Sequence, residues 1–190
     1  MLSGVILAGD LYEGRKADKR AFRIVGGQTV IERQIKEMRS NCDDITIVTN
    51  EPRLFLRHVD RDIRIISDYY SNQGVLSGMH AGLALARHRD VWIIGCHMPY
   101  PSAEAADLLT DGKREGYDAA IPWIGGRIYP LHGVYDRACE ELIRVQLELG
   151  QADLAGFLRQ INWLRLKESE LRSNRIDNRF IRTIPAGEAT

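Results

Sequence analysis

A glycine-punctuated segment near the N-terminus has the residue types that bind phosphate. It reads Gly9-Asp-Leu-Tyr-Glu-Gly-Arg-Lys-Ala-Asp-Lys19 and follows a short apolar run that ends at Ala8. Backbone N–H groups in such a loop can surround a phosphate, and a lysine at the end of the loop supplies the counter-charge. The spacing is neither that of a Walker A loop nor G-x-G-x-x-G, so an exposed charged loop is the alternative interpretation.

Polar residues follow three further apolar runs of the chain. Asn50 comes after the second run, Asp68 after the third, and Cys96-His97-Met98-Pro99 after the fourth. In an open parallel sheet, ligands bind at the carboxyl ends of the strands. If these runs are parallel strands, the three positions are expected to meet at one site with the loop after Ala8.

Two more segments contain glycine or histidine at positions of interest. They are Gly74-Val-Leu-Ser-Gly-Met-His-Ala-Gly-Leu83 and Tyr129-Pro-Leu-His-Gly-Val-Tyr135. Each has a purely structural interpretation. The glycines can pack a helix against a sheet, and a histidine in such a context is more often a hydrogen-bonded structural residue than a ligand; the positions concerned are Gly74, Gly78, Gly82, His80 and His132.

The elements that must position these residues alternate between strand-like and helix-like patterns. Short apolar runs at 4–8, 45–49, 63–66, 91–95 and 119–122 predict strands. Thr29-Val-Ile-Glu32 is a capping box that predicts a helix over 29–39, and further helices are predicted at 76–87 and around 154–161. Strands separated by helices indicate an α/β fold with a mainly parallel sheet, organised as one domain over 1–190. The polar tail 167–182 is expected to be a poorly packed hairpin or loop.

Composition excludes several classes of protein. The 26 Lys and Arg residues balance 26 Asp and Glu residues, so a nucleic-acid protein with a broad basic field is disfavoured. No apolar run approaches the roughly 18 residues that span a bilayer, and Leu2–Ala8 reads as a strand rather than a signal peptide. The cysteines are three widely spaced residues with no metal-ligand spacing, which predicts a reduced, cytoplasmic protein without disulfides or structural zinc. No nucleic acid and no membrane is expected as a partner.

In their order and spacing, these segments resemble the MobA family, the molybdenum cofactor guanylyltransferases. That family's pattern begins LAGGxSxRMGxDK, continues with GPLAGIHAGL and CDMP, and later has HPLHAVY. The corresponding segments here are 7–19, 74–83, 96–99 and 129–135, and the resemblance covers about residues 2 to 160. It implies a Rossmann-like nucleotidyltransferase fold with three layers, α/β/α.

The resemblance also implies roles for individual residues. Leu7, Ala8 and Gly9 look like the segment that wraps the guanine and starts the phosphate loop, and Lys19 looks like the phosphate-binding lysine. Asn50 and Asp68 stand where the family contacts the base and ribose side of GTP. His97 takes the position of the family's metal ligand, so it and Lys19 are the expected catalytic positions.

The reaction that the resemblance implies joins GMP to the molybdenum cofactor. A phosphate of the cofactor attacks the α-phosphate of GTP and pyrophosphate leaves, with Mg²⁺ or Mn²⁺ neutralising charge. The implied partners are molybdopterin in its molybdenum-bound form and the proteins that insert molybdenum and mature molybdoenzymes.

This chain departs from the family pattern where that chemistry takes place. The second loop glycine is Asp10, the signature arginine position is Gly14, and the aspartate of CDMP is His97. A neutral imidazole is a poor ligand for Mg²⁺ and suits softer ions such as Mn²⁺ or Zn²⁺, while Asp10 could swing a carboxylate toward the metal. The family's Asn-Thr-Pro motif is weak here, at Thr183-Ile-Pro185.

Two alternative functions therefore stay open. One is a cytidylyltransferase for the same cofactor, although relatives that use CTP have LAAG where this chain has Gly9. The other is a nucleotide- or cofactor-binding regulatory protein that no longer transfers nucleotide, which the changes at Asp10, Gly14 and His97 favour.

Overall fold

The computed structural model describes residues 1–9, 17–70 and 73–186 of the chain. Its strands, β1 to β10, are Leu2–Leu7, Ile24–Val25, Gln28–Thr29, Cys42–Val48, Arg64–Ile66, Asp90–Gly95, Ala119–Ile124, Arg127–Ile128, Gly133–Asp136 and Trp163–Lys167. Its α-helices, α1 to α7, are Val30–Met38, Pro52–Phe55, Gly74–Leu85, Ala103–Lys113, Cys139–Glu148, Leu154–Leu158 and Glu168–Ser173. Two short 3-10 helices span Lys19–Phe22 and Asn178–Ile181.

The main sheet has the strand order β10-β7-β9-β6-β1-β4-β5, with β8 paired to β7. Strands β6, β1, β4 and β5 are mutually parallel, and β10 is parallel to β7. Strand β9 runs antiparallel to both of its neighbours. The prediction of a mainly parallel α/β sheet is confirmed. The antiparallel β9, Gly133–Asp136, overlaps the end of the segment Tyr129–Tyr135, which the sequence marked only as a motif.

Both faces of the sheet are covered by helices, which gives the expected three layers. Along β1, Leu2 and Ile6 face the side covered by α1 and α4, whereas Val5 and Leu7 face the side covered by α3 and α5. Successive side chains of a strand point to opposite faces, so a strand buried on both sides is apolar throughout. Every residue of β1 and β6 is buried.

The first helix begins where the sequence indicates. Thr29 accepts a hydrogen bond from the backbone of Glu32, and the Glu32 carboxylate accepts one from the Thr29 backbone at 2.8 Å. Ile31, Ile35 and Met38 then form the buried stripe of α1. The capping box and the helical spacing therefore fix α1 against the sheet, as predicted.

A buried ionic cluster ties the sheet together at the edge opposite the carboxyl ends of the parallel strands. The Lys113 ammonium donates to Asp90 at 2.7 Å and to Asp136 at 2.8 Å, and its side chain is 2% exposed. Asp90 begins β6 and Asp136 ends the antiparallel β9, so one cation joins these two strands and α4.

The expectation for the polar tail 167–182 is wrong. Instead of a loose hairpin, the chain there continues from β10 into α7 and a 3-10 helix. Leu171, Ile176 and Phe180 are buried, each separated from the next by exposed polar residues. Single apolar residues at irregular spacing are enough to dock short helical turns, but they produce neither of the periodic patterns by which a sequence reveals such elements.

None of the helices in the described ranges is long and apolar enough to cross a membrane.

Gly82 sets the distance between α3 and the central strand. A β-carbon on Gly82 would lie 2.5 Å from Cγ1 of Val5, so only glycine permits this approach. We expect Gly82→Ala to lower the free energy of unfolding by about 1–3 kcal/mol through overpacking. In a Val5→Ala background the overlap is absent, so Gly82→Ala should instead raise the free energy of unfolding by roughly 0.5–1 kcal/mol, because alanine is a better helix former than glycine. Urea unfolding of the four proteins measures both values, and destabilisation of equal size in both backgrounds would contradict the contact.

Candidate functional site

Four parallel strands end at one level and bring the predicted polar positions to a common edge. Leu7, the last residue of β1, is paired with Val48 of β4 and with Gly95 of β6. The backbone pairing continues one residue further, because Ala8 N donates to Val48 O at 2.8 Å and Cys96 N donates to Leu7 O at 2.9 Å. The segments after β1, β4, β5 and β6 therefore start side by side, as the sequence predicted.

The glycine-punctuated loop is closed at its base. Gly9 and Ala17 form an antiparallel bridge, and Asp18 N donates to Ala8 O at 3.0 Å. Ala17 N also donates to the Glu51 carboxylate, at 2.5 Å. Asp10, Gly14 and the other residues of 10–16 lie outside the described residues. The two ends of the loop are thus held together directly above β1, and Glu51, which the sequence analysis missed, anchors the second end to the segment after β4.

Lys19 begins the 3-10 helix that follows the loop, and it is exposed at this edge. Asp18 caps that short helix by accepting from the Arg20 backbone at 3.0 Å. The cap fixes the backbone from which the Lys19 side chain extends, so the lysine leaves the protein surface close to the loop base.

Asn50 and Asp68 lie together at the ends of β4 and β5. Burial raises the pKa of the Asp68 carboxyl, and hydrogen bonds with the side chains of Asn50 and Ser77 oppose the rise. Oδ1 of Asp68 is buried and has no hydrogen-bond partner among the described residues. A buried acceptor without a partner is costly in an empty protein, so this atom is suited to accept from a ligand's O–H or N–H group.

His97 lies at the end of β6 with its imidazole packed over the backbone of Gly95. A β-carbon at Gly95 would overlap the ring, so glycine is required there. Nδ1 of His97 is 4.0 Å from Oδ2 of Asp18, and the Cys96 thiol points to the Asp18 carbonyl oxygen at 3.8 Å. Asp18, Cys96 and His97 are the one group in the described ranges whose ligating atoms all lie within 4.8 Å.

The electrostatics of this group are set by burial and by Arg20. Burial, reinforced by the positive charge of Arg20 and opposed by Asp18, lowers the pKa of His97 to about 4. Burial alone would raise the pKa of Asp18, but hydrogen bonds and charge from Arg20 hold it below its usual value. Near neutral pH, His97 is therefore neutral and Asp18 is ionised but already paired.

This donor set does not fit Mg²⁺. The ion requires oxygen ligands in an octahedral arrangement, whereas His97 offers nitrogen and Cys96 sulfur. The only carboxylate of the group, Asp18, accepts three side-chain hydrogen bonds from Arg20. Burial also raises the pKa of the Cys96 thiol well above its usual value, so the sulfur is a protonated core atom, as the structural interpretation of Cys96 predicted.

The structural interpretation is confirmed for Gly78, Gly82 and His132. For Gly74 the packing role is wrong, because an added β-carbon would meet no atom of the described residues within 4 Å; Gly74 instead has a positive φ of 63°. Gly82 and Gly78 face Val5 and Leu7 of β1. His132 has a φ of 75° and a fully buried ring, and its Nε2 accepts from Ser102 N at 3.0 Å. Its ring packs between Trp92 and Phe180, with centroids 5.0 Å and 4.5 Å away.

His80, the other histidine of the motifs, packs edge-on against Tyr70 and places Nε2 3.3 Å from the Glu140 carboxylate. It lies on α3 and faces α5, so its contacts join two helices of one layer.

Comparison with known proteins agrees with this geometry. A family model described as the MobA-like NTP transferase domain matches residues 4–166. The chain is 29% identical to a molybdenum cofactor guanylyltransferase of Desulfosudis oleivorans, over 90% of this chain and 84% of that protein. It is 28% identical to a probable molybdenum cofactor guanylyltransferase of Pelotomaculum thermopropionicum, over 90% of this chain and 81% of the relative.

Solved structures show the same fold at low identity. A molybdopterin-guanine dinucleotide biosynthesis protein A from Archaeoglobus fulgidus superposes with a TM-score of 0.74 at 20% identity, covering 94% of this chain and 89% of the other. A 2-C-methyl-D-erythritol 4-phosphate cytidylyltransferase from Francisella tularensis superposes with a TM-score of 0.67 at 12% identity, covering 87% of this chain and 89% of the other.

The buried histidines make stability depend on pH. Burial lowers the pKa of His132 to about 3, against about 6.5 in an unfolded chain. Between these two pH values the histidine is protonated in the unfolded state but neutral in the folded state, so acid favours unfolding. The contribution of His132 to the free energy of unfolding is fully present above about pH 6.5, and it falls as the pH drops toward the folded-state pKa of about 3. We expect His132→Asn, which tolerates the positive φ, to remove about 2 kcal/mol of the stability difference between about pH 7 and pH 5.

Urea unfolding at the two pH values measures this difference. Phe180→Leu is the matched control, because it loosens the same packing but keeps the histidine and should keep the full pH dependence. An equally steep pH dependence in His132→Asn would show that other groups cause it.

Proposed function

The chain belongs to the MobA-like NTP transferase family, and on that premise we propose that it transfers GMP from GTP to the molybdenum cofactor. The observation that best supports this proposal is the buried Oδ1 of Asp68 beside Asn50, which has no hydrogen-bond partner among residues 1–9, 17–70 and 73–186. It lies at the same edge as the closed base of the loop at Gly9. An acceptor in that position suits the hydroxyl or N–H groups of a nucleoside. The loop and Lys19 would then lie on the triphosphate side.

In this proposal the protein contributes positioning and charge. A phosphate oxygen of the cofactor attacks the α-phosphorus of GTP, a new P–O bond forms, and the bond to the β-phosphate breaks to release pyrophosphate. Leu7, Ala8 and Gly9 border the guanine through their backbone, and Lys19 neutralises negative charge on the phosphates. His97 is neutral and can donate one hydrogen bond to a phosphate oxygen, but it adds no charge.

The proposal extends to the protein's setting. We place the reaction in the cytoplasm, with the whole chain acting as a single nucleotidyltransferase domain. The second substrate is the molybdenum cofactor, and the proteins that insert molybdenum and mature molybdoenzymes are the expected partners.

A second candidate function is binding of nucleotide or cofactor without transfer. The donor set at His97 favours it, because nitrogen, a protonated thiol and an already paired carboxylate replace the oxygen ligands that Mg²⁺ requires. The two functions share the nucleotide site and differ in turnover. A cytidylyltransferase is the third possibility, and it differs in the base that is bound.

Direct titration calorimetry tests which nucleotide binds. We expect GTP to bind more tightly than CTP or ATP, because the segment Leu7-Ala8-Gly9 and Asn50 match the guanine-using pattern. Lys19→Ala should weaken GTP binding by about tenfold or more, since a charge-assisted hydrogen bond contributes roughly 1.5–3 kcal/mol. Its melting temperature should stay nearly unchanged, because exposed loop lysines contribute little to folding.

Lys36→Ala is the matched control for this titration, because Lys36 is an exposed lysine on α1 and should leave GTP affinity unaltered. Equal or tighter binding of CTP would overturn the choice of guanine. A Lys19→Ala protein that binds GTP normally but melts earlier would make Lys19 a structural residue.

His97 decides between transfer and binding alone. We expect weak Mg²⁺-dependent transfer by the wild-type protein and more by His97→Asp, which supplies the missing hard oxygen ligand. The measurement is product formation from GTP and molybdenum cofactor across a series of Mg²⁺ and Mn²⁺ concentrations. His97→Asn is the control that removes the imidazole without adding a charge. Robust wild-type turnover at low Mg²⁺, unimproved by His97→Asp, would show that the metal is held elsewhere.

A further inference from the structure

One guanidinium connects three segments around the candidate site. Nε and Nη2 of Arg20 donate to the Asp18 carboxylate at 2.9 Å and 2.6 Å, and Nη1 donates to Ile184 O at 2.9 Å. Ile184 N in turn donates to His97 O at 2.8 Å. The backbone of 182–186 is therefore fastened across the end of β6, between the loop base and the residue at the family's metal position.

The Asp18 carboxylate has no capacity left for another strong partner. Oδ1 accepts from the backbone and from Nε of Arg20, and Oδ2 accepts from Nε and Nη2. The Asp18 side chain is 7% exposed and the Arg20 side chain 17% exposed, so little water competes with their hydrogen bonds. Charge-assisted pairs with this fork geometry are among the strongest hydrogen bonds in proteins.

A divalent cation at this point would have to displace Arg20. To use Asp18 with His97 Nδ1, the ion would break the hydrogen bonds of the guanidinium and remain close to its positive charge. Without Arg20, a carboxylate, an imidazole and a thiol within 4.8 Å of one another would form an open three-ligand site.

From these contacts we propose that Arg20 takes the place of a protein-held cation beside His97 and clamps the C-terminal segment over the end of β6. It is a positioning residue. Its guanidinium neutralises Asp18, which caps the short helix that begins at Lys19, and keeps divalent ions off the Asp18–Cys96–His97 group. Its importance for transfer rests on the proposed function. Under that function, divalent metal reaches the site with the nucleotide rather than bound to the protein beforehand.

Metal binding by the nucleotide-free protein tests the exclusion of cations. Untagged wild-type, Arg20→Gln and Arg20→Lys proteins are titrated with Co²⁺ and followed by visible absorption, which reports nitrogen and sulfur ligands. We expect Arg20→Gln to bind Co²⁺ at least about tenfold more tightly than wild type, because the charged hydrogen bonds from the guanidinium to Asp18 no longer compete with the metal for that carboxylate. Arg20→Lys keeps the charge and should gain no site.

Two further variants locate the ligands. Arg64→Gln is the matched control, because Arg64 also pairs with a buried aspartate, Asp44, at 2.7 Å, but outside the Asp18–Cys96–His97 group. It should gain no Co²⁺ site. Adding Asp18→Asn to Arg20→Gln should abolish the gained site. Wild type binding Co²⁺ as tightly as Arg20→Gln, or a site that persists without Asp18, would overturn the proposal.

Hydrogen exchange of the Ile184 amide tests the clamp separately. The guanidinium contacts Asp18 and Ile184 O through different nitrogens, whereas a lysine offers a single ammonium. We therefore expect the Ile184 amide of Arg20→Lys to exchange at least about tenfold faster than that of the wild type. Unchanged exchange overturns the clamp even if Arg20→Gln fails to fold. Neither measurement uses nucleotide, so absence of GTP binding would contradict the proposed function without altering these results.

Discussion

The parallel pairing of β1 with β4 on one side and β6 on the other is the interaction on which the rest of the molecule depends. It aligns Leu7 with Val48 and Gly95, so three chain segments leave the sheet at one level. Because β1 is buried on both faces, a register shift of one residue would exchange the side chains that face the two helical layers. The burial of apolar side chains on both faces of β1 therefore also determines where the polar residues of the site meet.

Charge at the candidate site is balanced locally. Arg20 neutralises Asp18, His97 is uncharged near neutral pH, and burial raises the pKa of the Asp68 carboxyl. Within the described residues of this edge, Lys19 is left as an exposed cation beside the loop base. An anionic ligand at this edge would meet that cation, while the Asp18 carboxylate is already paired with Arg20 and the Glu51 carboxylate with the Ala17 amide.

The sequence predicted the parts of the fold that rest on local periodicity. The apolar runs, the capping box at Thr29 and the stripe of α1 were sufficient for the parallel half of the sheet and for its carboxyl edge. The antiparallel β9 and the docking of 167–182 were missed, because both depend on long-range pairing and on isolated apolar residues such as Phe180. Arg20 and Glu51 were missed for a related reason: their contacts reach Ile184 and Ala17, far away in the sequence. The choice of His97 as a critical position came from the family pattern, whereas its low pKa follows from burial that only the fold reveals.

A crystal structure of the protein with GTP tests the central claim most directly, which is that a guanine nucleotide binds at the carboxyl edge of β6, β1, β4 and β5. The account predicts the guanine against Leu7-Ala8-Gly9, a nucleoside donor within hydrogen-bond distance of Asp68 Oδ1, and the phosphates near Lys19. Nucleotide bound elsewhere on the protein, or an edge that stays empty at saturating GTP, would contradict it.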